Sequence, residues 1–203
     1  MVTENSSLTV LSRRFFLKKS TQIALGLTVI SVPTITCAKI LGKPKVMGKP
    51  KLLAKRSLCL YHTHTQQELN ITYALGKAYN PKALAQINYF LRDHQTGKIH
   101  PIDPKLLDIL WSIQGQMGRK GVYEVISAFR SPLTNRQLQQ HSSGVAGHSL
   151  HMKGKAIDIR FSEADIDQIH QCAMRMKSGG VGYYAKSDFV HLDTGTYRTW
   201  QQS

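Results

Sequence analysis

Between His148 and Phe161 the chain reads HSLHMKGKAIDIRF, and the second half of that stretch leaves the fold little freedom. Lys155 to Phe161 alternates with the period of a strand: Ala156, Asp158 and Arg160 fall on one face, Ile157, Ile159 and Phe161 on the other. Asp158 thus stands on a strand whose opposite face is apolar and core-forming, and a carboxylate so placed needs a partner. His151 lies seven residues upstream, too far for a helical i,i+4 pair. Gly154 permits a turn through Met152 and Lys153 that returns the imidazole toward the carboxylate.

Imidazole and carboxylate suit Zn²⁺, and a catalytic zinc takes three protein ligands and a water. Downstream, Phe189 to Asp193 alternates again, with Phe189, His191 and Asp193 on one side and Val190 and Leu192 on the other. His191 on a neighbouring strand would complete a set of His151, Asp158 and His191. Spacing alone also admits a plainer account, in which His151 caps a turn and Asp158 pairs with Arg160 or a lysine.

The stretch SLHMKGKAID, Ser149 to Asp158, is similar to the Ser-x-His-x-x-Gly-x-Ala-x-Asp signature of the zinc D-alanyl-D-alanine peptidase superfamily, with all five fixed types present. Within it the chain resembles the YcbK-like murein endopeptidase group through VISAFRSPLTN (Val125 to Asn135), GVAGHSLHMKGKAIDIRF (Gly144 to Phe161), INYFLRDHQTGKIHPIDP (Ile87 to Pro104) and FVHLDTG (Phe189 to Gly195). The resemblance covers roughly residues 57 to 200. It implies His151, Asp158 and His191 as zinc ligands. It also implies an α+β fold of the hedgehog/D,D-peptidase type: an antiparallel sheet carrying the Ala156 and Val190 strands, packed against two or three helices.

The expected activity is zinc-dependent hydrolysis of peptidoglycan crosslinks next to D-amino acids. The competing expectations are a D,D- or L,D-carboxypeptidase or dipeptidase, and a wall-binding module that keeps a structural metal. Relatives with a His-x-His ending carry a catalytic histidine where this chain has Phe189. Others use Glu-x-x-His with the glutamate as base; Asp188 keeps that spacing with a shorter acid, and His148 is the alternative acid or base. Arg130, at the end of the predicted strand Tyr123 to Ala128, offers a planar fork for a peptide carboxylate and in the family approaches the substrate; its plainer reading is a pair with an acid. Ser149 is expected to help hold the peptide or its oxyanion. Asp193 is expected to orient His191, since a ligating histidine usually donates its other N–H to an acceptor.

Ahead of this region, Ser12 to Lys18 (SRRFFLK) is a twin-arginine export pattern followed by a mildly apolar run, Ile23 to Val32, too short to span a membrane stably. Residues 1–38 read as a cleaved signal, and Cys37 lacks a lipobox before it. Residues 39–56 carry seven basic side chains, no acid and two Gly-x-Pro repeats, a flexible basic arm for anionic wall polymers or an anionic membrane face. The signal and the arm hold +3 and +7 of the +15 net charge, leaving +5 for residues 57–203, a surplus that requires no nucleic acid. Those 147 residues are one domain's worth, expected to act as a monomer in the periplasm or cell envelope after export in the folded state. Cys59 and Cys172 allow at most one disulfide, which spacing cannot decide.

Elsewhere the periodicity predicts a hairpin turning at His62 to Gln66, helices over Lys82–Arg92, Pro104–Met117 and Glu163–Lys177, and a polar helix or loop from Asn135 to Ser143. His62 and His64 read as part of a solvent-facing edge strand.

Overall fold

The computed structural model describes residues 54–141 and 146–202. The export pattern and most of the basic arm lie outside them. Lys55 and Arg56, read as the end of that arm, instead begin the first strand, and the Arg56 guanidinium bonds the Asp108 carboxylate.

Eight strands form one sheet: β1 Lys55–His62, β2 Gln67–Leu75, β3 Ala78–Tyr79, β4 Val122–Ser127, β5 Ala156–Phe161, β6 Gly180–Tyr184, β7 Phe189–Asp193 and β8 Arg198–Gln202. Their spatial order is β3-β2-β1-β4-β5-β7-β6-β8. The pairings are antiparallel except β1 with β4 and β6 with β8, so the sheet is mixed where the sequence reading expected an antiparallel one. Four α-helices accompany it: α1 Pro81–Phe90, α2 Pro104–Gln116, α3 Pro132–His141 and α4 Ile166–Met176.

The period-2 split of β5 holds. Ile157, Ile159 and Phe161 are buried in a core shared with Leu58, Leu60, Tyr123, Val125, Val190 and Leu192, so the central strands contribute one apolar face each. That face is covered by stripes from three helices: Ala83 and Ile87 of α1; Leu106, Leu107, Leu110 and Ile113 of α2; Ile169, Cys172 and Ala173 of α4. Proline opens α1 and α2, each behind a side-chain cap: Asn80 accepts from the amides of Lys82 and Ala83, and Asp103 from that of Lys105. Helix α3 buries only Thr134 and Asn135, in keeping with its polar sequence. Cys59 and Cys172 are both free thiols.

Two connections bear on the opposite face. Asp93 is buried, and its Oδ2 accepts from the Ser131 amide at 2.7 Å and the Thr134 hydroxyl at 2.6 Å while Oδ1 accepts from the amides of Gln95 and Thr96. The carboxylate ties the turn after α1 to the start of α3. The HPIDP segment packs on the turn before β5: the Asp103 amide donates to the Gly154 carbonyl at 2.9 Å and the Thr194 hydroxyl to Asp103 at 2.8 Å.

The hairpin of β1 and β2 turns where predicted, but β1 is no edge strand. It lies between β2 and β4, and His62 is 1% exposed. Its ring sits 6.0 Å from those of Phe90, His64 and His94, the last two stacked on each other at 4.0 Å. Burial, and then the charges of His94, His64 and Arg92, push the His62 imidazole down to about 4. An imidazole whose folded value lies below its unfolded value binds fewer protons in the native state, so its contribution is complete above about 6.5 and is lost as pH falls toward 4. His62→Phe should therefore flatten the fall of melting temperature between pH 6.5 and pH 4. A variant whose melting temperature falls as steeply as wild type over that window would refute the assignment.

Candidate metal centre and groove

The antiparallel register of β5 and β7 sets Asp158 directly opposite His191, with both side chains on the sheet face away from the helices. His151 reaches the same point from the 3-10 turn Leu150–Lys153. Ser149 caps that turn by accepting from the His151 amide at 3.3 Å, and Gly154 ends it in the left-handed conformation at φ 61°. A side chain at Gly154 would also collide with the Pro101 carbonyl and the His100 ring, so the signature glycine serves both the turn and the approach of the HPIDP segment.

Three atoms converge. His151 Nε2, His191 Nδ1 and Asp158 Oδ1 are separated by 3.2, 2.8 and 3.3 Å. Metal–nitrogen bonds of about 2.0–2.1 Å in a tetrahedron put neighbouring ligand atoms about 3.3 Å apart. What lies behind these atoms decides their chemistry. His151 Nδ1 faces the Ala128 carbonyl at 2.6 Å, so it carries the proton and donates it. His191 has a carboxylate at each nitrogen, Asp158 at 2.8 Å from Nδ1 and Asp193 at 3.1 Å from Nε2, and against burial the two raise its pKa; with a cation at Nδ1, its proton goes to Asp193 through Nε2. Asp158 Oδ2 accepts from Arg130 at 2.9 Å. The protons thus point outward, and three lone pairs of buried groups point at one another. That arrangement calls for a cation, and the residues fit one; among the described residues this is the metal-ligating cluster the chain forms.

Charge balance follows the same logic. Burial holds His151 below the ordinary imidazole value. Burial opposes ionisation of Asp158, but His151 and His191 outweigh it and keep the carboxyl well below its usual range. For Asp193, burial is outweighed by His191, Arg198 and the amides of Gly180 and Gly195.

The cluster lies in a groove of about 670 Å³. Its lining includes Thr134 and Leu138 of α3, the exposed His148, Tyr184 of β6, Lys186 of the β6–β7 turn, Phe189 of β7 and Trp200 of β8. His64 and His94 sit at one part of the rim, held by the Asp93 tie.

The residues singled out in the sequence are treated unequally. His151, Asp158, His191 and Asp193 meet. Arg130 lines the groove, but its Nε donates to the Ser127 hydroxyl and one Nη to Asp158, so two of its three nitrogens are committed inward, one of them to the cluster. The contact formed by the Ser149 hydroxyl is the turn cap, although the residue also lines the groove. Asp188 is not brought to the cluster. It sits in the turn before β7 at φ 53°, its side chain is 63% exposed, and both its carboxylate and its carbonyl are bound by Arg160. At φ 53° the backbone there is outside the alternation of β7, and the carboxylate turns to Arg160 instead of to the cluster. Residues that the sequence reading passed over include Arg198 and Trp200 of β8: Arg198 grips the Asp193 carboxylate with two nitrogens, and Trp200 lies 5.1 Å from the His191 ring. Their signal was a parity match, since Gly180 and Gly182 pair with Arg198 and Trp200.

Gly154→Ala should cost more than the roughly 1–2 kcal/mol of a left-handed residue, because Pro101 must also move. An unchanged denaturant midpoint would refute the close approach as the reason for glycine.

Residues 51–200 match the M15 peptidase family model described as "Peptidoglycan L,D-endopeptidase MepK". The chain is 41% identical over 145 residues to the peptidoglycan L,D-endopeptidase MepK of Escherichia coli (strain K12), covering 71% of this chain and 80% of that protein. It is 38% identical over 147 residues to the probable peptidoglycan L,D-endopeptidase MepK of Haemophilus influenzae, covering 72% of this chain and 79% of that one. A signature turn, a ligand triangle and a match over most of its length agree: the chain belongs to the MepK family of M15 peptidases.

Proposed function

We propose that this protein is a zinc-dependent endopeptidase that hydrolyses peptide crosslinks of peptidoglycan at an L,D bond. The observation that carries this reading is the triangle of His151, Asp158 and His191 ligand atoms in a groove of about 670 Å³. The choice of bond rests on the relatives, which are named peptidoglycan L,D-endopeptidases. The groove walls add support: Arg130, Lys186 and Arg198 line it against a single acid, Asp158, which is itself a ligand, so an extended substrate bearing carboxylates is favoured.

His151 Nε2, Asp158 Oδ1 and His191 Nδ1 would hold the zinc. When bound, it supplies a positive charge that polarises the scissile carbonyl and brings the ionisation of water near neutrality. The chain's own residues do the rest. Arg130 fixes the plane of the Asp158 carboxylate, and its remaining edge is directed to the peptide. Ser149 acts through the turn that presents His151. Phe189, two positions before His191 on the same strand face, offers an apolar wall and no proton. We assign proton transfer to His148, an exposed imidazole that lines the groove, rather than to Asp188, which is bound by Arg160 and does not line it.

The twin-arginine pattern of Ser12–Lys18 supports export to the periplasm or cell envelope, where such a substrate is found, and the basic residues 39–53 suit anionic wall polymers. No helix among the described residues is long and apolar enough to cross a membrane.

Purified protein should carry about one zinc per chain, lose activity on chelation and regain it with added zinc, and each of His151→Ala, Asp158→Ala and His191→Ala should lower occupancy. Metal analysis without bound metal, together with no activity on zinc addition, would sink the reading. Digestion of sacculi should convert crosslinked dimers to monomers with an L,D cut, abolished in Asp158→Ala. Release of terminal D-alanine alone would make the enzyme a carboxypeptidase, and unchanged fragments at full zinc occupancy would leave a binding module. His148→Ala should lower turnover by about 10²-fold with zinc retained, while Asp188→Asn stays within about twofold of wild type. The reverse pattern would return the base to Asp188.

A further inference from the structure

We infer that Arg198, with Trp200 beneath it, is a positioning residue for the metal centre: it clamps the Asp193 carboxylate so that His191 presents Nδ1 to the ion. The inference rests on the metal-site reading above and gives Arg198 a task beyond lining the groove.

Asp193 is a fully buried carboxylate with five donors. Its Oδ1 accepts from the amides of Gly180 at 2.9 Å and Gly195 at 2.8 Å and from Arg198 at 3.2 Å. Its Oδ2 accepts from Arg198 at 2.7 Å and from His191 Nε2 at 3.1 Å. Arg198 alone touches both oxygens, so its planar fork sets the rotation of the carboxylate about its bond to the chain. The two amides hold only Oδ1 and leave that rotation less constrained. Turned away, Oδ2 would no longer meet the histidine, and either ring nitrogen of His191 could then carry the proton.

Trp200 keeps the clamp in place. The Arg198 guanidinium lies over the indole, 5.0 Å from its centroid, and the indole N–H donates to the Tyr184 hydroxyl at 3.0 Å. The indole also abuts the His191 ring. This packing needs two side chains to be absent. A Cβ on Gly180 would strike Asp193 and Arg198, and one on Gly182 would come within 2.5 Å of the indole. Parallel pairing aligns those glycines with Arg198 and Trp200. The alternation Gly-x-Gly on β6 against Arg-x-Trp on β8 is thus a matched surface built against the back of one metal ligand.

The test measures affinity for zinc by competition with a chromophoric chelator in wild type, Arg198→Lys and Arg198→Met, with near-native circular dichroism as the condition for comparison. Both variants should bind zinc about 10- to 100-fold more weakly than wild type, the range usual for partners behind a metal-bound histidine. Arg198→Lys keeps the charge and the fold but loses the fork, which separates positioning from simple neutralisation of Asp193. Cobalt(II) substitution gives a second readout: the visible absorption bands should shift in both variants, because the orientation of one ligand changes. Unaltered affinity and unaltered cobalt spectra in a folded Arg198→Lys protein would overturn the inference. Zinc and cobalt binding that is absent from wild type as well would instead overturn the metal reading on which it rests.

Discussion

The structure turns on the direction of two imidazole protons. With a cation at their centre, His151 donates to the Ala128 carbonyl and His191 to Asp193, and two ring nitrogens and one Asp158 oxygen face that common point. Three mutually repelling lone pairs in a buried place are tolerable only if a positive charge joins them, and only if the protein holds them there beforehand. Much of the surrounding architecture supplies that hold. The end of β4 provides the Ala128 carbonyl and, past it, Arg130; the capped 3-10 turn provides His151; the HPIDP segment braces the turn from behind.

The sheet divides the labour by face. Ile157, Ile159, Val190 and Leu192 secure β5 and β7 in the core against α4, while the residues between them build the chemistry on the other side. Putting Asp158 and His191 on central strands rather than on loops limits their motion to what the core allows. The loops then shape the groove: the Asp93 tie sets the rim that carries His94, and the β6–β7 turn sets the wall that carries Lys186.

How much of this could be read in advance depended on whether a residue's task was local. The alternation from Lys155 to Phe161 identified both faces of β5, and the helical stripes of α1, α2 and α4 were legible because each element buries its own face. That His151, Asp158 and His191 cluster was legible because one turn and one strand carry two of the three. Strand order was not, and it moved His62 from a supposed edge into the interior. The same gap explains Asp188: a sequence offset that matches a family pattern says nothing of the turn at φ 53° that delivers its carboxylate to Arg160. Arg198 and Trp200 were invisible for a related reason, since their meaning comes from glycines on a strand paired with theirs and not from neighbours in the chain.

The pairing of Asp158 with His191 has a consequence for how a nascent chain finds its fold. Because side chains alternate, sliding β5 by one residue along β7 would bury the carboxylate among the core residues and turn Ile157 or Ile159 outward. A chain in the wrong register would therefore fail twice, unable to close its interior and unable to capture an ion. With a metal at this site, uptake would double as proofreading, since only the correctly aligned pair of strands would retain the ion.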